Sequence, residues 1–327
     1  MMQFGTLGAA GITPRALISP CMDEPGATIY AIAARDHARA KDFARWHGIP
    51  KVLHTYEEVV THAKVDAVYN PLHITAHHEW TLKALAAGKH VLCEKSFASN
   101  AAEAREMAET ADQAGLVLMD AFHYRYHPVF IRAKEIYDSG ELGEIRKVSG
   151  AFHIPVTDPT SIRMIYELGG GVTMDIGCYP ISWIRHITGL EPETVKAEAE
   201  EGPPNVDVML KTEMHFANGV IATTSGDMRA GVGFEAWLKV EGSDGTMYVE
   251  NPLVPQNGNA IELNIGGTKR TETFDRRPTY GYQLDAFLAA VNDGLPLWTD
   301  AWDGFKQMQL IDRAYEAAGL PVRGVTP

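Results

Sequence analysis

Ahead of the first proline the chain reads Phe4-Gly5-Thr6-Leu7-Gly8-Ala9-Ala10-Gly11-Ile12. A glycine at 8 can make a tight turn. Small side chains at 9 and 10 let backbone approach a pyrophosphate at the start of a following helix, where negative charge is favoured. The strict three-glycine fingerprint is broken because Ala10 stands at its second glycine, so the run alone also reads as a plain strand-to-helix turn. Gly8, Ala9, Ala10, Gly11 and Ile12 are the expected dinucleotide cradle. The next β-branched run ends Ala33-Ala34-Arg35-Asp36. An acid at such a strand end grips a ribose 2′-hydroxyl, whereas an arginine pairs with a 2′-phosphate and stacks on adenine. Asp36 falls where a helix N-cap belongs. That leaves Ala34 and Arg35 at the adenosine end and favours NADP, with NAD as the alternative; the bland reading of Arg35 is a solvated surface arginine.

Lys95 falls at the C-terminal edge of a strand-like run, the edge on which open α/β sheets place ligands. Tyr179 follows the glycine-rich segment Gly169-Gly170-Gly171. His73/His77 and His123/His127 have i, i+4 spacing, but neither pair sits in an HExxH pattern, and Pro128 disfavours α-conformation at His127. No metal site is expected. The cysteines, Cys21, Cys93 and Cys178, are too few and scattered for a disulfide framework or a CxxC site, and they fit a reducing compartment.

The elements that must position these residues follow from periodicity and punctuation. Strand-like runs at 3–7, 28–33, 51–53, 67–69, 90–93 and 116–119 alternate with helical stretches at 14–21, 38–47, 55–61, 76–87 and 101–114. Thr55 and Glu58 form a capping-box pattern, Asn100 caps the last helix, and Gly88 and Gly115 occupy C-terminal cap positions. Strands joined by helices pair in parallel through right-handed crossovers, so residues 1–122 form an α/β doubly wound Rossmann domain. From 123 to 327 the texture changes. Strand-like runs at 148–153, 208–216, 220–226, 234–241 and 246–249 are joined by turns such as Asn218-Gly219, which implies antiparallel pairing. Helices are expected at 129–139, 175–188, 282–292 and 301–318. The second domain is therefore α+β around one large antiparallel sheet. Its open face predicts a homodimer or homotetramer.

The 327 residues carry 29 basic and 42 acidic side chains, a net charge of −13, which repels phosphate backbones and anionic membranes and argues against either as a partner. The start of the chain has no basic leader, and no stretch approaches the roughly 18 apolar residues of a membrane span. The expectation is a cytoplasmic protein.

Several motifs in order resemble one family along nearly the whole chain. Gly88-Lys89-His90-Val91-Leu92-Cys93-Glu94-Lys95 is similar to the GKHVxxEKP signature of the glucose-fructose oxidoreductase/inositol dehydrogenase (Gfo/Idh/MocA) family. Asn70-Pro71-Leu72…His77, the 140–145 segment Gly-Glu-Leu-Gly-Glu-Ile, and Gly169-Gly170-Gly171…Asp175-Ile176-Gly177-Cys178-Tyr179-Pro180 support it. Phe122-His123-Tyr124-Arg125-Tyr126-His127-Pro128 resembles the branch holding dihydrodiol dehydrogenases and NADP-dependent xylose dehydrogenases.

The resemblance implies hydride transfer between a nicotinamide and an alcohol or carbonyl carbon of a sugar, polyol or cyclic trans-diol. That chemistry needs a base for the hydroxyl proton and a positive group for the developing oxyanion. A phenol, with a pKa of roughly 10, is a poor base until a lysine ammonium favours its phenolate. The family pattern assigns these roles to Tyr179 and Lys95. It also places Leu72, His73, His77, Glu94 and Lys95 beside the cofactor, and Asp175, His127 and Arg125 beside the substrate. Asp175 has a second reading as a helix cap, and His77 and His127 as hydrogen-bonded structural histidines. Two positions depart from the pattern. Ser96 replaces the usual proline after the lysine, and His73-Ile74 replaces Pro-Asn. A non-catalytic nucleotide-binding regulator and a redox-neutral enzyme with tightly held cofactor are the alternatives.

Overall fold

Short apolar, β-branched runs punctuated by glycines and caps become parallel strands in the computed structural model, which describes residues 1–324. The chain divides into two compact units: Met1–His123 with Tyr280–Met308, and Tyr124–Thr279 with the chain from Gln309 onward.

The first unit holds a six-stranded parallel sheet: β1 (Met2–Leu7), β2 (Ala27–Ala33), β3 (Lys51–Val52), β4 (Ala67–Asn70), β5 (His90–Cys93) and β6 (Leu118–Asp120). The strand order is β3-β2-β1-β4-β5-β6, so the winding reverses at β1, the switch point where such sheets open a crevice. Caps set the helix starts. Asp36 accepts from Ala38 N and Arg39 N at 2.9 and 3.1 Å. Asn100 Oδ1 accepts from Glu103 N at 3.0 Å while Glu103 Oε2 accepts from Ser99 N at 2.9 Å. Thr55 Oγ1 accepts from Glu58 N, and Glu58 reaches back to His54 N, one residue beyond the expected reciprocal partner. Each such cap contributes about 1 kcal/mol.

The sequence reading assigned everything after 122 to the second domain; residues 280–308 instead group with the first unit. Helix Thr279–Asp293 lays Phe287 against Phe4 of β1 with ring centroids 5.6 Å apart. Thr299 O accepts from Asp120 N at 2.9 Å, and Asp300 bridges Met119 in antiparallel fashion beside β6. A sheet whose last strand has one open edge and an uncovered apolar face draws its cover from wherever the chain supplies it. Local patterning carries no record of that.

The second unit is built on an eight-stranded sheet: β7 (Ile145–His153), β8 (Thr194–Glu201), β9 (Asp207–His215), β10 (Ile221–Asp227), β11 (Glu235–Gly242), β12 (Gly245–Glu250), β13 (Ala260–Ile265) and β14 (Thr268–Glu272). The order is β14-β13-β12-β11-β7-β10-β9-β8. β10 and β7 pair in parallel and every other neighbour is antiparallel. Alternation is clean in the centre: Leu210, Thr212 and Met214 of β9 and Ala236, Leu238 and Val240 of β11 are buried, and their neighbours point away. Helix Cys178–Thr188 packs on the buried face, close enough that a Cβ on Gly150 of β7 would meet Trp183 at 3.3 Å. The strands absent from the sequence reading include both edges, β8 and β14. Their runs Thr-Val-Lys-Ala-Glu-Ala-Glu-Glu and Thr-Lys-Arg-Thr-Glu carry the charges that edge strands use against further pairing; in β8 these mask a Val-Ala-Ala alternation, and β14 has no apolar residue at all. Among the described residues no helix is long and apolar enough to cross a membrane.

Gly171 has a tertiary reason to be glycine. Its φ is +133°, and an added Cβ would lie 2.1 Å from Asp207 Oδ1 and 2.7 Å from Arg323 Nη2. Gly171→Ala is expected to destabilise by about 2 kcal/mol or more, from strain and overpacking together. A urea midpoint equal to that of the parent protein would refute this account.

Candidate active site

β1 ends at Leu7, and Gly8 turns the chain at φ +85° with its N–H donated to Ala33 O at 2.7 Å. A Cβ there would meet Leu72 Cδ2 at 3.3 Å, whereas Gly11 faces open space. The rest of the turn is pinned by backbone: Arg39 Nη2 donates to Ala9 O at 2.7 Å, Thr13 N to Ala10 O at 3.2 Å, and Ala16 N to Ile12 O at 3.0 Å. Pro14 opens the helix that follows, a position where its missing N–H costs nothing. This small-residue cradle at a helix start, which a larger side chain would fill, fits a pyrophosphate.

The end of β2 behaves as the sequence predicts. Asp36 is committed to capping helix His37–His47, and Arg35 is exposed. Arg35 shares its neighbourhood with His73. Burial, and after it the Arg35 charge, holds that imidazole below its ordinary value, and His73 Nδ1 lies 2.9 Å from Thr75 Oγ1.

The ends of β4 and β5 bring the remaining first-unit candidates together. His77 is buried, with Nδ1 2.9 Å from Ser96 O and Nε2 3.0 Å from Leu72 O, tying the 72–73 loop to the 94–96 loop. Both partners are carbonyls, which favours a protonated ring. Burial outweighs them, with His73 and Lys95 adding to its effect, and the pKa is lowered to about 4. Glu94 is buried and accepts a hydrogen bond from Tyr69 Oη at 2.7 Å. Burial pushes its carboxyl up, while Tyr69, Lys95 and Arg15 pull it back. Lys95 is half-buried, and the Lys95–Ser96 peptide is cis.

Arg15, Tyr69 and Tyr280 are not marked for this site by the sequence, and His123 is weighed there only as half of a histidine pair and within a family motif. The His123 ring lies 4.0 Å from that of Tyr280, and its pKa is lowered to about 3 by burial and then by Arg15 and Lys95. Tyr280 is held protonated by burial and Glu94, against an opposing hydrogen bond with Arg15. Tyr69 was legible as strand and Arg15 as helix, but nothing local marks either for this cluster. Tyr280 arrives from the other end of the chain.

In the second unit, a π-helical turn (Thr173–Gly177) runs directly into helix Cys178–Thr188. Asp175 donates its N–H to Gly171 O at 3.1 Å, and the N-cap position of helix Cys178–Thr188 is held by Gly177. The Asp175 carboxylate pairs with Arg163 Nε, and four residues later stands Tyr179. Tyr179 is 5% exposed, its ring 5.7 Å from Phe152 and 6.2 Å from Tyr124. Arg125 donates from Nη2 to His186 Nδ1 at 2.9 Å, bracing the 124–126 segment against the Tyr179 helix. His127 is fully buried and caps helix Pro128–Ser139, its Nδ1 accepting from Val129 N at 3.2 Å. That bond gives the ring a structural role.

Residues 2–122 match the family described as oxidoreductase family, NAD-binding Rossmann fold, and residues 130–248 match the GFO/IDH/MocA C-terminal domain. The chain belongs to the GFO/IDH/MocA family of oxidoreductases, and its first unit is a nicotinamide-dinucleotide-binding Rossmann domain. It is 33% identical over 97% of both chains to a D-xylose 1-dehydrogenase (NADP(+)) of Haloferax volcanii. It is 28% identical to a trans-1,2-dihydrobenzene-1,2-diol dehydrogenase of Xenopus laevis, over 89% of this chain and 90% of that one. A 3-ketoreductase from Actinomadura kijaniata, solved with TDP-benzene and NADP as a tyrosine-to-phenylalanine variant, superposes with TM-score 0.90, 28% identity and 97% coverage of each chain. The same ketoreductase was also solved with these ligands as a lysine-to-alanine variant.

The two buried imidazoles make stability pH-dependent. Both native pKa values, about 4 for His77 and about 3 for His123, lie below the ordinary 6.5. The unfolded chain therefore binds protons first, and stability that is complete above pH 6.5 is lost as pH falls toward those native values. Thermal midpoints should drop between pH 7 and 4, and His123→Asn should flatten that slope. An unchanged slope would remove His123 as a source of it.

Proposed function

We propose that this protein is an NADP-dependent oxidoreductase that transfers hydride between the nicotinamide and a secondary alcohol or carbonyl of a sugar, polyol or cyclic trans-diol. Tyr179 takes or returns the hydroxyl proton, and Lys95 steadies both the phenolate and the carbonyl oxygen. The single observation that carries the acid/base pair is a matched spacing. In the Actinomadura ketoreductase the substituted lysine and tyrosine are separated along the chain by the same number of residues as Lys95 and Tyr179.

The nicotinamide cofactor supplies the hydride acceptor or donor. Gly8, Ala9, Ala10, Gly11 and Ile12 hold its pyrophosphate; Ala34 and Arg35 hold the adenosine end; Leu72, His73, His77, Glu94 and Lys95 line the nicotinamide end. With Asp36 engaged as a cap, Arg35 is the group that selects a 2′-phosphate. Asp175, with Arg163 on its carboxylate, is the substrate-orienting candidate from the second unit, together with Arg125 and His127. For oxidation, Tyr179 acts as general base while the Lys95 ammonium lowers the cost of its negative charge. Reduction reverses the proton's path. The same reading has a cytoplasmic homodimer or homotetramer formed through the sheet face on which Trp237 and Tyr248 stack, 6.2 Å between centroids.

The test is direct. NADPH and NADH binding is measured on the purified protein, followed by a screen of pentoses, hexoses, polyols and trans-diols at the nicotinamide absorbance. Lys95→Ala and Tyr179→Phe are each expected to lower turnover by about 100-fold or more, the range general acid–base groups supply, with NADPH affinity preserved. A Tyr179→Phe enzyme with parental rate and pH profile would exclude that residue as the acid/base.

Cofactor choice is tested separately. Arg35→Asp should weaken NADPH relative to NADH by about tenfold or more, as loss of a charge-assisted pair implies. An unmoved preference ratio would return Arg35 to the solvated surface.

A further inference from the structure

The second unit contains a fully buried ion pair that none of the roles above uses. Arg323 and Asp207 are both 0% exposed, with Arg323 Nη2 2.7 Å from Asp207 Oδ1. Arg323 Nη1 donates locally to Pro321 O at 3.0 Å, and other bonds of the pair reach the 170–173 segment. Arg323 Nε donates to Gly170 O at 2.9 Å. Asp207 Oδ2 accepts from Thr173 N at 2.9 Å, and Tyr315 Oη donates to Asp207 Oδ1 at 3.1 Å. Tyr166 Oη donates to Val322 O at 3.2 Å, and the guanidinium lies 4.9 Å from the Tyr166 ring and 4.3 Å from that of Tyr315. The segment at 321–323 is thus stitched to residues 166–173.

Those residues are the base of the π-turn and helix that carry Asp175 and Tyr179. Gly171 N donates to Arg163 O and Gly170 N to Ile165 O, both at 2.9 Å, and Asp175 N donates to Gly171 O at 3.1 Å. From Thr173 the helix runs without interruption through Tyr179. Moving the Asp207 carboxylate or the Gly170 carbonyl therefore rotates or shifts the first turns of that helix. An isolated buried charge pair is weak evidence of stability. One whose members bond the Gly170 carbonyl and the Thr173 amide, at the base of that helix, has a geometric use.

We propose that Arg323, acting through Asp207 and the Gly170 carbonyl, is a positioning residue for Tyr179. The proposal rests on Tyr179 being the acid/base of the reading above. Its fork of donors sets the helix start in a way that a single ammonium cannot reproduce. Displacement of about 1 Å at a reacting group costs up to about 100-fold in rate.

The test compares Arg323→Lys, Tyr315→Phe and Tyr179→Phe in the full-length protein, with NADP+ and the best substrate of the panel. Arg323→Lys keeps the buried charge matched but loses the fork. It is expected to keep parental NADPH affinity while kcat falls between about 10- and 100-fold. The rising limb of its oxidation pH profile should move to higher pH, because a phenol displaced from its cationic partner ionises less readily. Tyr315→Phe should move both quantities in the same direction by less. Should Arg323→Lys fail to fold, Tyr315→Phe decides alone. Parental kcat and pH limb in the folded variants, with Tyr179→Phe inactive, would overturn the positioning role and leave the acid/base reading intact. A fully active Tyr179→Phe would instead remove the premise, and the proposal with it.

Discussion

A carboxylate taken out of water must be met by donors, and in each unit one such carboxylate organises the loops around it. In the first unit it is Glu94, buried against the Tyr69 hydroxyl with Arg15 and Lys95 in electrostatic reach. In the second it is Asp207, met by Arg323, Tyr315 and the Thr173 amide. Burial pushes both carboxyls up, and the surrounding donors pull them back. A partly matched buried charge is worse than an apolar core, so the loops that supply donors are held to narrow geometries. Glu94 directly precedes Lys95, and the Thr173 amide lies at the base of the helix that holds Tyr179.

This constraint explains sequence features that motif reading only registers. The glycines at 170 and 171 are where backbone passes within touching distance of other backbone and of the buried ion pair. The Glu94-Lys95 dipeptide sets a buried acid next to a half-exposed lysine on consecutive residues at the end of β5. Both lie just past Cys93, the last residue of β5. The buried Glu94 ties the loop to Tyr69 of β4, while Lys95 stays half-buried.

The division of labour between the units follows from sheet type. A parallel sheet must bury both faces and opens only at its C-terminal edge, at the switch point. There β1, β2, β4 and β5 deliver the Gly8 turn, Arg35, the 72–77 loop and Lys95. A mainly antiparallel sheet with helices on one face keeps the other face available. Strands β9 and β11 show it by alternating buried and outward-facing residues along their length. One architecture is suited to gripping a dinucleotide, the other to presenting a helix on one side and a broad surface on the other.

Local signals were enough for much of this. The alternation of strand and helix, the N-caps at Asp36, Thr55 and Asn100, the Gly8 turn and the assignment of Asp36 to a cap rather than a ribose were all legible, because each depends on residues a few positions apart. The edge strands β8 and β14 were not, since their charges answer to solvent and to the avoidance of further pairing rather than to a core. Asp175 was read as either a substrate group or a cap. The tertiary structure puts it in a π-turn whose Thr173 N–H donates to Asp207 of β9, with Gly177 at the N-cap of the helix that follows. The return of 280–308 to the first unit, the placing of Tyr280 over His123, and the burial of Arg323 against Asp207 belong to the tertiary structure alone. Each joins residues more than a hundred positions apart, and no local pattern records which distant segment will satisfy a buried charge or cover an open sheet edge.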